Sequence, residues 1–182
     1  MNVPNPVNAR ELIIAALMEW IGSRPFEAVS VSQIVKKAGI SRSTFYLYYR
    51  DKFDLMDSVT AQITDRFLSF YRNEIRPPWH QDAPFLVQET TLALCTHIQT
   101  NRTFYADRFK DPHFVHQLTR RLTERLFAIY RHQGYATFAG YGTIGYLSQW
   151  VLSGFRLTPF EASTELTKIG LTNWAEMTSP TD

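Results

Sequence analysis

The chain has 182 residues, 45% apolar and 20% charged, which excludes a disordered or fibrous protein and leaves room for one domain, or a small domain joined to a larger one. Its single cysteine, Cys95, excludes a disulfide framework, and a formal charge of +2 says little about partners. Neither a secretory leader nor a run of about 18 apolar residues occurs, so the expected location is the cytoplasm, with no membrane partner. The first 50 residues hold six basic against three acidic side chains, and the rest of the chain thirteen against fourteen. A small basic head on a near-neutral body hints at an anionic partner.

Taken in chain order, residues 9–21 carry Leu12, Ile13, Ala16, Leu17 and Trp20 at helical spacing, and Gly22-Ser23-Arg24-Pro25 ends that helix. Phe26 is expected to fold back as a core plug. Ser30 with Gln33 three residues on is a capping box for a short helix over 31–38, whose Ile34 and Val35 face inward. Gly39 supplies the positive φ of a sharp turn. Ser41 then caps a helix over 42–49, and the turn between the two short helices is too tight for antiparallel packing. Helix, tight turn and helix at a steep angle form the helix-turn-helix arrangement.

Asp51 and Asp54 open a long helix that reaches about residue 75, ended by Pro77 and Pro78. Helices are expected over 84–100, 102–109, 112–132, 137–153 and 159–177, the last opened by Thr158, Pro159 and Glu161. Nine helices and no alternating strand pattern give an all-α fold. Its N-terminal three-helix head with a helix-turn-helix, residues 1–57, is joined by a long fourth helix to a C-terminal helical ligand-binding and dimerisation domain, residues 58–182.

On the 42–49 helix, Phe45 and Tyr49 are assigned inward, against Leu12, Leu17 and Ile34. Ser41, Arg42, Ser43, Thr44, Tyr46, Leu47 and Tyr48 are left exposed or half-exposed. A purely aliphatic packing helix needs few hydroxyls, whereas a helix in a major groove uses them. Arginine donates a bidentate fork to guanine, hydroxyls meet base edges or phosphate, and a ring or methyl touches the thymine methyl. Lys52, with the first-turn N–H groups of the helices capped by Ser30, Ser41 and Asp51, suits phosphate. On pattern alone two readings stay open: a DNA-reading helix, or a short packing helix whose tyrosines bridge core and solvent.

Residues 9–56, and above all VSVSQIVKKAGISRSTFYLYYRDKFDLM from Val29, closely resemble the DNA-binding region of tetracycline-repressor-like (TetR family) transcriptional regulators. The specificity lies in the joint spacing of Ser30, Ile34, Ala38, Gly39, Ser41, Thr44, Phe45, Tyr46, Tyr48, Tyr49, Lys52 and Leu55. The resemblance implies an all-helical homodimer whose two recognition helices meet a near-palindromic operator in double-stranded DNA. It implies phosphate contacts for Ser30, Thr44, Tyr48 and Lys52, joined by the capping Ser41, and base contacts for Arg42, Ser43 and Tyr46. Val35, Tyr49 and Phe53 depart from the frequent alanine, phenylalanine and glutamate. The ending GYGTIGYLSQWVLSGFRLTPFEASTEL looks like a subgroup that includes a co-activator type without repressor activity. A ligand-responsive repressor is the leading expectation, with a co-activator or protein-interaction module of the same fold as the alternative.

Gly140, Gly142 and Gly145 within one helix each cost about 1 kcal/mol relative to alanine, which close approach of another helix offsets. The expected four-helix dimer interface uses Gly145, Leu147, Trp150, Val151, Leu166 and Ile169. The aromatic-rich middle helices suggest a pocket for an uncharged or weakly anionic small-molecule effector, drawn from Phe67, Tyr71, Phe85, His97, Phe104, Tyr105, His116 and Tyr130. His113 and His116 lack the further ligands of a metal set, and no Gly-rich phosphate loop, HExxH or nucleophile elbow occurs. No metal, cofactor or enzymatic activity is expected, and Cys95 reads as a buried small hydrophobe.

Overall fold

The computed structural model describes residues 6–71 and 83–171. Among them the regular structure is helical: α1 (Pro6–Ile21), a single 3-10 turn (Phe26–Ala28), α2 (Val31–Ala38), α3 (Arg42–Tyr48), α4 (Lys52–Ser69), α5 (Ala83–Thr100), α6 (Arg102–Arg108), α7 (Pro112–Tyr130), α8 (Gln133–Leu152) and α9 (Pro159–Leu171). The all-α expectation is met. The expected Pro77–Pro78 stop and the end of the last helix near 177 lie outside the described residues. No helix among the described residues is long and apolar enough to cross a membrane.

Local chemistry explains most of the boundaries. Ser30 and Gln33 make the reciprocal box that starts α2, and Gly39, at φ 66° and ψ 28°, ends it in the left-handed region. The side chain of Ser41 accepts from Thr44 N and starts α3. Asp51 Oδ1 accepts from the backbone N of both Phe53 and Asp54 at 2.8 Å, opening α4. Thr158 and Glu161 close the corresponding box ahead of α9, with Thr158 N donating to Glu161 Oε2 at 2.8 Å and Glu161 N to Thr158 Oγ1 at 3.3 Å. Two starts differ from expectation by three residues or more, that of α1, at Pro6 rather than 9, and that of α8. Helix α8 begins at Gln133 rather than 137, because the His132 ring accepts from Tyr135 N and acts as the cap.

The described residues pack as two compact units. The first comprises the chain to Asp65 together with 101–111, so α6 belongs with α1 to α3 and the greater part of α4. Its core is built from Ile13 and Leu17 of α1, Phe26, Ile34, Phe45, Leu55 and Phe104, all buried. Phe26 is thus the expected plug. Leu12 is not part of this core: it stands 37% exposed, while Ile13 occupies the inward position. Thr103 of α6 lies against Gly22, where an added Cβ would come 3.2 Å from its Cγ2.

The second unit comprises 66–100 and the chain from Pro112 onward, within which α7 packs on α8 and α5 on α9. Leu94, Cys95 and Ile98 of α5, Leu118, Leu122 and Leu126 of α7, and Ile144, Leu147, Trp150 and Val151 of α8 fill its interior. Gly140 permits the α7–α8 approach, since a Cβ there would collide with Thr123 Oγ1. Trp150 also ties down the segment ahead of α9, its Nε1 donating to Leu157 O at 3.0 Å.

Candidate nucleic-acid interface

Helix α3 is held from below and bare above. Phe45 is fully buried and Tyr49 nearly so, with their rings 5.8 Å apart. The hydroxyl of Tyr49, absent from the phenylalanine frequent in similar sequences, accepts from Arg10 Nε at 3.1 Å, and Arg10 Nη2 reaches Ser58 Oγ at 3.1 Å. One arginine therefore ties α1 to the end of α3 and to α4. Val35 fills the core as the aliphatic reading expected.

The opposite face of α3 carries Arg42, Ser43, Tyr46 and Leu47, all exposed, with Tyr46 at 47% and Leu47 at 80%. Arg42 Nη1 donates to Ser32 Oγ of α2 at 2.9 Å, and Nη2 donates to the Tyr46 hydroxyl at 3.2 Å. Arg42 and Tyr46 thus form one hydrogen-bonded group with Ser32 that spans both helices, while Ser43 stands beside it. Ser41 is exposed, its Oγ 2.7 Å from Ser43 Oγ and 2.8 Å from Thr44 Oγ1. Ser30 is exposed, and Thr44 and Tyr48 are half-buried. Two members of this surface stood outside the expected contact residues, Ser32 and Leu47. Exposure of Leu47 follows from its phase on the helix, whereas the contact of Ser32 with Arg42 has no signature in local sequence.

Lys52 is placed differently from the other phosphate candidates. Its Nζ donates to the backbone oxygens of Phe26 at 3.1 Å, Glu27 at 2.7 Å and Val29 at 2.8 Å. Phe53 packs edge-on against Phe26 at 5.5 Å between ring centroids. Nearby, the Arg50 backbone N–H and guanidinium beside Asp54 hold that carboxyl below its ordinary range.

The effector candidates do not gather in one unit. Phe104 and Tyr105 are buried in residues that pack with the N-terminal helices, while Phe67, Tyr71, His97, His116 and Tyr130 belong to the second unit. The side chain of Phe85 lies outside the described residues. Phe67 is buried, with its ring 6.1 Å from that of Tyr71, the His97 ring lies tilted 5.7 Å from Phe70, and His116 is exposed. Burial raises the Tyr71 phenol well above its ordinary range, with Tyr130 and Cys95 adding to the shift and a hydrogen bond with the Thr143 side chain opposing it. Cys95 and Thr143 were not anticipated as its neighbours. Among the described residues no group of three or more His, Cys, Asp or Glu side chains is placed to hold a metal ion.

Of the dimer candidates, Gly145 and Ile169 are exposed and Leu166 is half-buried, whereas Leu147, Trp150 and Val151 lie inside their own unit. The exposed apolar side chains of α8 are instead Tyr135, Phe138, Tyr141 and Leu152, and α9 adds Phe160 and Leu171.

Residues 13–59, which hold the whole of α2 and α3, match the family model of bacterial regulatory proteins of the tetR family. Over those residues the chain carries the N-terminal domain of the tetR family. It is 33% identical over 88 residues to the HTH-type transcriptional regulator YvdT of Bacillus subtilis (strain 168), covering 45% of this chain and 43% of that one. The chain spans less than half the length of the curated relatives it matches. Among solved structures, the fatty acid degradation regulator FadR from Bacillus halodurans superposes with a TM-score of 0.66 at 18% identity, covering 96% of this chain and 98% of that one. The dihydroxyacetone kinase operon activator DhaS gives 0.64 at 17% identity, with coverage of 90% and 94%. At such identity these likenesses show the fold alone, shared through the C-terminal helices as well as the N-terminal ones.

Proposed function

We propose that this tetR-family protein is a ligand-responsive transcriptional regulator of the cytoplasm, a repressor that binds a near-palindromic operator as a homodimer and is released by a small-molecule effector. The observation that carries this reading is the bare face of α3, where Arg42, Ser43 and Tyr46 stand together over a core anchored by Phe45 and Tyr49. In that role Arg42 reads a guanine edge, Tyr46 and Ser43 contact neighbouring bases, and Ser30, Ser41, Thr44 and Tyr48 meet phosphates. Base contacts specify; phosphate contacts set the register.

Support for the homodimer comes from α8 and α9, whose Phe138, Tyr141, Leu152 and Phe160 are each at least 49% exposed in the single chain. A Cβ on Gly142 or Gly145 would meet nothing within 4 Å of its own subunit, which suits close approach of a second copy. Ile169 and Gly145 then lie in the interface, with Leu147, Trp150 and Val151 forming the packed layer behind it. An effector seated among the C-terminal helices would lower operator affinity in proportion to its preference for the non-binding state. An activator of the same fold is the second reading, favoured by the likeness to DhaS, which is named as an activator.

Selection of bound sequences from a random duplex library with the purified protein tests the proposal. Enrichment of a near-palindrome is the expected result, and failure to enrich any sequence would overturn it. Transcription from a reporter carrying the winning sequence separates repression from activation.

A further inference from the structure

We propose that Lys52 is a positioning residue for DNA docking rather than a phosphate ligand: its ammonium clasps the 26–29 segment onto the start of α4 and so sets the helix-turn-helix that follows. The inference rests on the DNA-binding role proposed above.

The ammonium has three protons, and the backbone oxygens of Phe26, Glu27 and Val29 take one each. The rings of Phe26 and Phe53 also border it, with centroids 4.8 Å and 5.3 Å from Nζ. Reaching a phosphate would mean breaking charge-assisted bonds already made in the free protein. The clasp also accounts for Phe53, where similar sequences frequently have glutamate: the ring leans on Phe26 and walls the ammonium. What the clasp holds matters for docking. Val29 directly precedes Ser30, the cap of α2, and α2 carries the Ser32 hydroxyl that receives Arg42. Without the ammonium, three carbonyl oxygens converge with no shared donor and the entry to α2 relaxes.

Arginine separates the two roles. It binds phosphate as well as lysine does, but its planar fork cannot place three donors on three converging carbonyls between two rings. Binding of the selected duplex is measured against salt for wild type, Lys52→Met, Lys52→Arg and Phe53→Ala, with circular dichroism as the check on folding. The expected result is that Lys52→Arg falls with Lys52→Met, each about tenfold weaker, because lost charge-assisted hydrogen bonds shift the docking geometry. Phe53→Ala, which removes no charge, is expected to weaken binding in the same direction with an unchanged salt slope. Wild-type affinity in Lys52→Arg, together with a salt slope lowered by about 0.9 in Lys52→Met, would overturn the proposal in favour of direct phosphate contact.

A second measurement needs no variant. Reductive methylation of the free wild-type protein with formaldehyde and borohydride is expected to modify the exposed Lys36 quickly and Lys52 slowly. Equal rates without DNA would overturn the clasp. The two ideas fail separately: a wild-type protein that binds no duplex removes the functional reading and with it the docking role, whereas a freely reactive Lys52 removes the clasp alone.

Discussion

Arg42 donates from Nη1 to Ser32 Oγ at 2.9 Å, joining the first residue of α3 to the second of α2 across the turn. A long side chain fixed before binding loses less freedom on docking than one that must be ordered then. Ser32→Ala is therefore expected to leave the fold intact, to weaken operator binding severalfold and to relax preference at the base read by Arg42. Arg42→Ala is expected to cost about 1–3 kcal/mol and to abolish that preference. The double variant should be no weaker than Arg42→Ala, because the serine acts through the arginine. Fluorescence anisotropy on the selected duplex and its single-base variants reads all three, and strictly additive losses would separate the pair.

The glycines of α8 are expected to behave in opposite ways. Gly140→Ala drives a methyl into Thr123 Oγ1 across the α7–α8 contact, an overpacking expected to cost about 1–3 kcal/mol. Thr123→Ala should relieve it, since that hydroxyl is buried without a hydrogen-bond partner and contributes little in place. Gly142→Ala meets nothing in its own subunit and should gain helix propensity, up to about 1 kcal/mol in a monomer. In a dimer that packs closely at this face the same change weakens association. Denaturant unfolding at low and high protein concentration distinguishes the terms.

These elements also show how far the sequence could be read. The starts of α2, α3 and α9 were legible because each rests on a cap and a partner three residues apart, Ser30 with Gln33, Ser41 with Thr44 and Thr158 with Glu161. The start of α8 was not, because a histidine cap followed by Gly134 does not resemble the usual signal. On α3 the inward and outward faces could be assigned from phase alone, Phe45 and Tyr49 against Arg42 and Tyr46. On α8 they could not: apolar residues run all the way round, so periodicity does not say that Leu147 and Trp150 point in while Phe138 and Leu152 point out. Contacts between distant parts of the chain, such as Lys52 with Glu27 or α6 with α1, leave no local trace.

Stability should decline at both ends of the pH range, for different groups. Burial pushes the Cys95 thiol up to about 12 from an ordinary value of 9.0, and it raises the Tyr71 and Tyr130 phenols. Groups whose folded values are raised stay neutral in the fold while the unfolded chain ionises. Their contribution is complete below about pH 9, and each removes up to about tenfold from the folding equilibrium per pH unit above its unfolded value. Glu161 shifts the other way, lowered by hydrogen bonds from the Thr158 backbone and side chain, so its contribution is present above its ordinary value of 4.5 and disappears on acidification. Thr158→Ala should cost about 1 kcal/mol at neutral pH and less in acid, where protonation has already weakened the Glu161 half of the box. Thermal unfolding across pH reads both limbs. A thiol reagent at pH 8 should leave native Cys95 unmodified and label it on unfolding, and rapid labelling of the folded protein would contradict its burial.

Phe138 and Leu152 lie fourteen residues apart on α8, close to four helical turns, and between them Tyr141, Gly142 and Gly145 continue one exposed stripe. Phe138 is 71% and Leu152 49% exposed, so charging either disturbs little inside the subunit while opposing burial against another copy. Phe138→Glu with Leu152→Glu is expected to turn a dimer into a monomer in size-exclusion chromatography with light scattering, with the helical circular dichroism of the parent retained. Operator affinity should fall by much more than either single change in α3 would produce, since a monomer engages one half-site and loses the effective concentration that links the two heads. A protein that stays dimeric with both glutamates in place would locate the interface elsewhere on the C-terminal helices, and one that is monomeric from the start would remove the palindromic operator from the proposal.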